Sequence, residues 1–355
     1  MNFLKSLYTS SPSINIKLES NNHNYFKYIT KENKILSYPT YYDKDEIFGI
    51  IKLILNNNKL IIIESMNIYL FGILQNQNSN ISEKIFEDSI QISSPDQPQS
   101  IINEITDFKF SFKPKNKPYE TYFGESIQIK YFLKVIADIK REQDLSEKLE
   151  SQIEICCLKP ATKKICDEYY LDKKNNKELE INIGVEKVIH VNIKLLKTRY
   201  CLDDVVIGKI KIVKNELNLN NIFLEIKREE KINIGDKNLA NIQDLAKYEL
   251  VEGYPEEGDE MCFRYYLSGV KNLTPSYYNE KEKEKKFEVR YFLSFEFNDN
   301  KGYQFFKNVE IIIYRMNLNN LISPNENKDK DKDKDKNKNK NAEIFMSIKN
   351  QLNSK

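Results

Sequence analysis

Acid–base, nucleophilic and metal chemistry all need a few particular side chains held close together, and this chain is sparing with them. It has two histidines, His23 and His190. His190 sits in the alternating run Val188, Ile189, His190, Val191, where a solvated or hydrogen-bonded strand histidine is a simpler reading than a catalytic base. Cys156 and Cys157 are adjacent in a strand-like run, so their side chains leave opposite faces and do not converge on one metal ion. The sequence contains no His-Glu-x-x-His, Cys-x-x-Cys or Gly-x-Ser-x-Gly, and its 10 glycines form no phosphate-cradling loop. The paired carboxylates Glu229-Glu230 and Glu256-Glu257 read as solvated loop residues. The expectation is a protein that is not an enzyme and uses no cofactor and no metal.

The charge balance excludes further classes. Lys and Arg number 55 against 53 Asp and Glu, a formal net charge of +2. A nucleic-acid binder shows a basic surplus or stripe, and the lysine-rich tract near the C-terminus is interrupted by Asp and Asn. The five cysteines are odd in number and few for the length, which argues against a disulfide framework and for a reducing compartment. No run approaches the roughly 20 apolar residues of a membrane span. The N-terminus lacks an apolar signal stretch, and Asn2 stands where N-myristoylation needs glycine. A cytoplasmic protein is expected, with peripheral membrane association made through partners.

The elements that must position any working residue are strands. Ile127, Ile129, Tyr131, Leu133 and Val135 share one phase, with Gln128, Lys130 and Lys134 between them. Phe287, Val289, Tyr291, Leu293, Phe295 and Phe297 repeat this, alternating with Glu288, Arg290, Ser294 and Glu296. Such strands have a dry face and a wetter face, as in antiparallel sandwiches. Asn-, Lys- and Pro-containing breaks such as Pro114–Pro118 and Asn298–Gly302 read as turns. A helical turn over Ser146–Ile153 is the one weak alternative.

The two halves also repeat each other. Asp45-Glu-Ile-Phe-Gly49 returns as Asp204-Val-Val-Ile-Gly208, and Tyr131-Phe-Leu133 returns as Tyr291-Phe-Leu293. Two matches at nearly one offset mean that a strand-rich unit occurs twice. The expected fold is all-β, with two antiparallel β-sandwich domains: an N-terminal sandwich over 1–160, a linker over 161–177 and a C-terminal sandwich over 178–318. The Lys/Asp/Asn-rich tail, 319–355, is expected to be disordered because it has little apolar surface to bury.

Two places break the alternation. Phe306 shares its phase with Gln304, Asn308 and Glu310, so an aromatic stands on a polar face, either exposed as a contact anchor or packed under a loop or against the other domain. In Tyr248-Glu-Leu-Val-Glu-Gly-Tyr-Pro255, Leu250 and Val251 are adjacent, so on a regular strand one of them faces away from the core. With Glu249 and Glu252 beside them and Gly253 after, this reads either as an ordinary hairpin end folded onto its own sandwich or as an apolar loop tip with a charged rim, the anatomy of a docking hot spot.

At these segments the chain resembles the vacuolar protein sorting-associated protein 26 family, the arrestin-like subunit of retromer. The likeness is carried by Met1-Asn-Phe-Leu4, Lys117-Pro-Tyr-Glu-Thr-Tyr-Phe-Gly124, Lys130-Tyr-Phe-Leu-Lys-Val135 and Asp204-Val-Val-Ile-Gly-Lys-Ile210. Ala246-Lys-Tyr-Glu-Leu-Val-Glu-Gly253, Lys286-Phe-Glu-Val-Arg-Tyr-Phe-Leu293 and Phe306-Lys-Asn-Val-Glu-Ile-Ile-Ile-Tyr-Arg315 continue it.

The resemblance implies two sandwiches arranged as in arrestins, no catalysis, and a place in an endosomal coat that returns cargo receptors to the Golgi or the cell surface. It implies binding to retromer's large α-solenoid subunit through the C-terminal domain, with a phosphoesterase-like subunit completing the complex. The family's solenoid-binding loop falls on Leu250 and Val251, flanked by Tyr248, Glu249, Glu252 and Gly253. Its positions for holding cargo receptor tails together with sorting nexins fall on Phe306 and Ile183, and an acidic position for a PDZ-containing sorting nexin falls on Asp43. By phase with Ile181 and Val185, Ile183 also reads as a core residue. Glycine and Pro-Thr-Pro of the family are replaced here by Lys44 and Leu273-Thr-Pro275. The competing reading is an α-arrestin-type adaptor for ubiquitin ligases, whose usual Pro-Pro-x-Tyr motif is missing from this sequence.

Overall fold

The computed structural model describes residues 12–316 apart from 20–24, 31, 56–59, 78–80, 103, 142–144, 163–177, 186–187, 235–236 and 278–286. Met1–Leu4, His23, Cys166, most of the expected linker and the tail lie outside the described residues.

The chain forms β1 (Ser13–Leu18), β2 (Tyr25–Ile29), β3 (Ile35–Tyr42), β4 (Ile47–Ile54), β5 (Ile61–Asn76) and β6 (Ser82–Ser93). Then come β7 (Gln99–Ile101), β8 (Ile105–Phe112), β9 (Tyr122–Phe123), β10 (Ile127–Arg141) and β11 (Leu145–Leu158). The second half has β12 (Leu179–Val185), β13 (Ile189–Leu195), β14 (Arg199–Cys201), β15 (Val205–Asn215) and β16 (Leu219–Ile234). It ends with β17 (Lys237–Glu252), β18 (Glu260–Tyr266), β19 (Phe287–Asp299) and β20 (Gln304–Tyr314). Ser146–Ile153, the helical alternative, lies within β11, where its pairing with β10 decides for a strand.

The architecture is all-β, two antiparallel sandwiches of the arrestin-like kind. One sheet of the first half runs β1-β4-β8, and the other runs β2-β3-β11-β10-β5-β6, with β7 on β5 and β9 on β10. The second half has β12-β13-β15-β18 and β14-β20-β19-β16-β17. Two short parallel pairings, β3 with β11 and β14 with β20, depart from the antiparallel pattern and occupy equivalent places in the two halves. Ile127, Ile129, Tyr131, Leu133 and Val135 are buried as their phase predicts, and so are Tyr291, Leu293, Phe295 and Phe297.

The internal repeat is a repeat of packing. Gly49 on β4 faces Phe110 across the ladder, and Gly208 on β15 faces Phe263. A methyl carbon added at Gly49 would lie 2.6 Å from the Phe110 ring and 2.8 Å from Lys17 O. At Gly208 it would lie 2.4 Å from the Phe263 ring and 2.9 Å from Lys194 O. In each half a phenylalanine ring lies over a bare glycine, and the contact with backbone oxygen leaves no room to yield. The aspartates four residues earlier also match: Asp45 Oδ2 accepts from Tyr42 N at 2.7 Å and Asp204 Oδ2 from Cys201 N at 2.9 Å.

A buried carboxylate joins the halves. Glu230 is 1% exposed. Its Oε1 accepts from Tyr122 Oη at 2.7 Å and Glu125 N at 3.1 Å, and its Oε2 accepts from Ser126 N at 3.1 Å. Arg228, also buried, places Nε 3.2 Å from Glu230 Oε1 and donates through Nη2 to Gln243 Oε1 at 2.6 Å. The reading of Glu229-Glu230 as solvated loop residues is therefore corrected: both lie on β16, and three donors from the other half replace water around Glu230. A second bond is bidentate, with Arg315 Nε and Nη2 each 3.0 Å from a Glu120 oxygen. Rings of Tyr119, Tyr122, Tyr277 and Phe287 pack beside it.

Two outcomes are expected. Gly49→Ala and Gly208→Ala each lower the unfolding free energy by about 1–3 kcal/mol in urea titrations, whereas Gly269→Ala, with nothing within 4 Å, does not. Glu230→Ala leaves a buried guanidinium without its countercharge and two turn amides without their acceptor, and costs about 3–5 kcal/mol, read by thermal unfolding.

Candidate interaction surface

Strand β17 is the outer strand of its sheet and carries the first candidate segment. Near its end the register steps from Ile222 opposite Val251 to Phe223 opposite Glu249, leaving Leu250 as the extra residue of a β-bulge. A bulge re-aims side chains, so adjacent residues need not leave opposite faces. Leu250 and Val251 are both half-buried and pack against the core. The expected apolar loop tip is thus a strand end, and alternation misreads it because the bulge adds a residue. Glu249 and Glu252 are exposed, and Gly253, with φ of 91°, ends the strand. Tyr248 is exposed and meets Tyr265 edge-on, with ring centroids 6.0 Å apart.

The outer face of this sheet links that strand end to Phe306. Glu249, Phe223, Glu296 and Phe306 form one cross-strand row over β17, β16, β19 and β20, spanning about 14 Å at ordinary strand spacing. Phe306 is 54% exposed, as its phase predicts. Strand β14 pairs only with Ile312–Tyr314. Among the described residues, Gln304–Ile311 therefore has a strand partner on the β19 side alone.

Glu296 and Ser294, assigned by alternation to the wetter face, are buried, as is Glu225 in the same layer. Lysines cover them. Lys247 Nζ bridges Glu296 and Glu225, 3.0 Å from the latter, and stands 4.3 Å from the centroid of the Phe223 ring. Lys227 Nζ lies 2.8 Å from Glu225 and 3.0 Å from Asp244. Burial opposes ionisation of Glu225, but hydrogen bonds from Lys227 and Lys247 and their charge outweigh it and hold its pKa below the ordinary carboxylate value.

The other candidates lie apart from this row. Ile183, on β12 in the opposite sheet, is half-buried against the core in phase with Ile181. Asp43 is in the first half, in the turn after β3. Its Oδ1 accepts from Lys117 N at 3.0 Å, and buried Lys117 donates through Nζ to Asp43 O at 3.2 Å. That aspartate holds the Lys117-Pro-Tyr-Glu segment in place.

The remaining reactive groups have structural surroundings. His190 is exposed, with Nε2 3.1 Å from Asn182 Oδ1. Burial pushes the Cys157 thiol up to about 12 and raises that of Cys156 further. No cluster able to hold a metal ion occurs among the described residues. No helix there is long and apolar enough to cross a membrane. A cavity of about 390 Å³ lies between the halves beside the Glu120–Arg315 pair, whose polar atoms already satisfy each other.

Alternation also passed over Tyr254, beyond Gly253, which is 65% exposed. A large aromatic after a strand-ending glycine and before a proline was the available signal.

Comparison with known proteins adds a lineage. The family model described as vacuolar protein sorting-associated protein 26 matches residues 8–302. The protein of that name from Plasmodium falciparum is 24% identical over 312 residues, 88% of this chain and 98% of its own length. The Schizosaccharomyces pombe protein of that name is 26% identical over 286 residues, 78% of this chain and 86% of its own. The Caenorhabditis elegans one is 28% identical over 208 residues, 59% of this chain, and the match spans about half of that relative, 53%.

The Lys247 bridge predicts an acid dependence. A carboxylate with a depressed folded pKa contributes stability above its unfolded pKa and loses it as pH falls through the folded value. Urea midpoints should therefore fall as pH drops below the ordinary carboxylate range near 4.5, and Lys247→Met should flatten that fall.

Proposed function

The chain belongs to the vacuolar protein sorting-associated protein 26 family, and on that premise we propose that it is a non-catalytic subunit of a retromer coat. The coarse role, vacuolar protein sorting, follows from the family. The finer reading is a subunit that binds the large α-solenoid subunit through the end of β17 and helps sorting nexins hold cargo receptor tails near Phe306. Its site of action is the endosome, with return of receptors to the Golgi or the cell surface. A phosphoesterase-like subunit joins it through the solenoid.

The observation that carries this reading is the placement of Leu250, Val251 and Phe306. The two segments reached by the resemblance lie on one sheet, at its outer strand and at an open stretch of strand edge, and one cross-strand row joins them. An exposed aromatic on an unpaired edge suits an extended peptide, which can add main-chain hydrogen bonds there.

Affinity capture from the source organism tests it. Recovery of an α-solenoid protein with a phosphoesterase-like protein is expected; recovery of a ubiquitin ligase instead points to an α-arrestin adaptor. Leu250→Asp with Val251→Asn is expected to weaken solenoid binding by about 30- to 1000-fold. Because both side chains rest on the core, the thermal transition is measured alongside. A folded double variant that still captures the solenoid removes this surface from the assignment.

A further inference from the structure

The exposed large aromatic side chains at the end of β17 and just beyond it are two tyrosines. Tyr248 is 53% and Tyr254 65% exposed, while Leu250 and Val251 are half-buried and pack against the core. Tyr254 sits on a pinned turn. Asn215 Nδ2 donates to Pro255 O at 2.8 Å, and Glu256 N donates to Asp259 Oδ2 at 2.7 Å. Gly258 N donates to Ile212 O at 2.8 Å and Ile212 N to Asp259 O at 2.9 Å. Large aromatic rings on a fixed backbone lose little conformational freedom on contact and make the strongest interface anchors.

The charge along the chain between Lys247 and Arg264 is one-sided. From Tyr248 to Phe263 there is no Lys or Arg, but there are Glu249, Glu252, Glu256, Glu257, Asp259 and Glu260. Glu260 is paired with Lys209 and Lys211. The other five are exposed and form no ion pair among the described residues. Such a rim repels an anionic membrane and attracts a basic protein face.

We infer that Tyr248 and Tyr254 are the anchors of the solenoid contact, entering an apolar cleft between helices that is ringed by Lys and Arg, and that Leu250 and Val251 support the strand end from below. This rests on the retromer reading and names the partner chemistry of the same site.

The test is a binding titration of the purified full chain against the purified solenoid subunit, at about 50 and about 300 mM salt. Tyr254→Ala is expected to weaken binding at least about tenfold with an unchanged thermal transition, and Tyr248→Ala similarly. Wild-type binding should weaken as salt rises. Glu252→Gln, Glu256→Gln and Glu257→Gln combined should remove most of that dependence. A wild-type chain that binds, with tyrosine variants within about twofold of it and no salt dependence, overturns the inference and leaves the retromer reading standing. A wild-type chain that does not bind the solenoid sinks both.

Discussion

The Glu230 carboxylate is the contact on which the relation between the halves depends. It comes from β16 and is enclosed by groups from the β9–β10 turn, 108 residues earlier in the chain at Tyr122. A carboxylate removed from water carries a penalty of several kcal/mol, which is offset only when its lone pairs are filled and a countercharge is near. Glu230 meets both conditions, with Tyr122, Glu125 N, Ser126 N and Arg228 around it. The three donors from the first half reach Glu230 only when the halves are in register, so the interaction favours one arrangement over looser alternatives. The Glu120–Arg315 pair and the ring cluster of Tyr119, Tyr277 and Phe287 fall into place around that register.

A different electrostatic arrangement shapes the candidate interaction surface. On the outer face of the second-half sheet, Lys247 and Lys227 neutralise acids that their own stems help to cover. Glu225 and Glu296 are thus paired within the sheet face between Phe306 and the β17 end. Around Gly253, by contrast, Glu249, Glu252, Glu256, Glu257 and Asp259 are exposed and form no ion pair among the described residues. The surface therefore divides into a self-satisfied sheet face and, at the end of β17, a rim of carboxylates outside any ion pair among the described residues.

Strand phase was legible because a sandwich interior demands a period of two, and Tyr131, Tyr291 and Phe306 follow it. The repeat was legible because Gly49 and Gly208 are fixed by the same ring-over-glycine packing. What the alternation could not show came from distant contacts or from an added residue. Burial of Glu230 and Glu296 is decided by partners far away in the chain, which no local pattern encodes. The bulge at Leu250 turns two adjacent side chains toward the core, so the rule that one must face out fails there. For Ile183 and Asp43 the pointer was family likeness; Leu250, Val251 and Phe306 also broke the alternation, and of these Phe306 alone is exposed as its phase announces.

The parallel pairings of β3 with β11 and of β14 with β20 have a kinetic consequence. Tyr41 must wait for Cys157, and Tyr200 for Ile313, before either sheet can close. Long-range pairings form slowly, because loop-closure entropy is lost before contacts compensate it. A nascent chain thus holds an unfinished sheet, with bare strand edges, until almost the whole of each half has emerged, and this is the interval in which it is most open to aggregation or to chaperone capture.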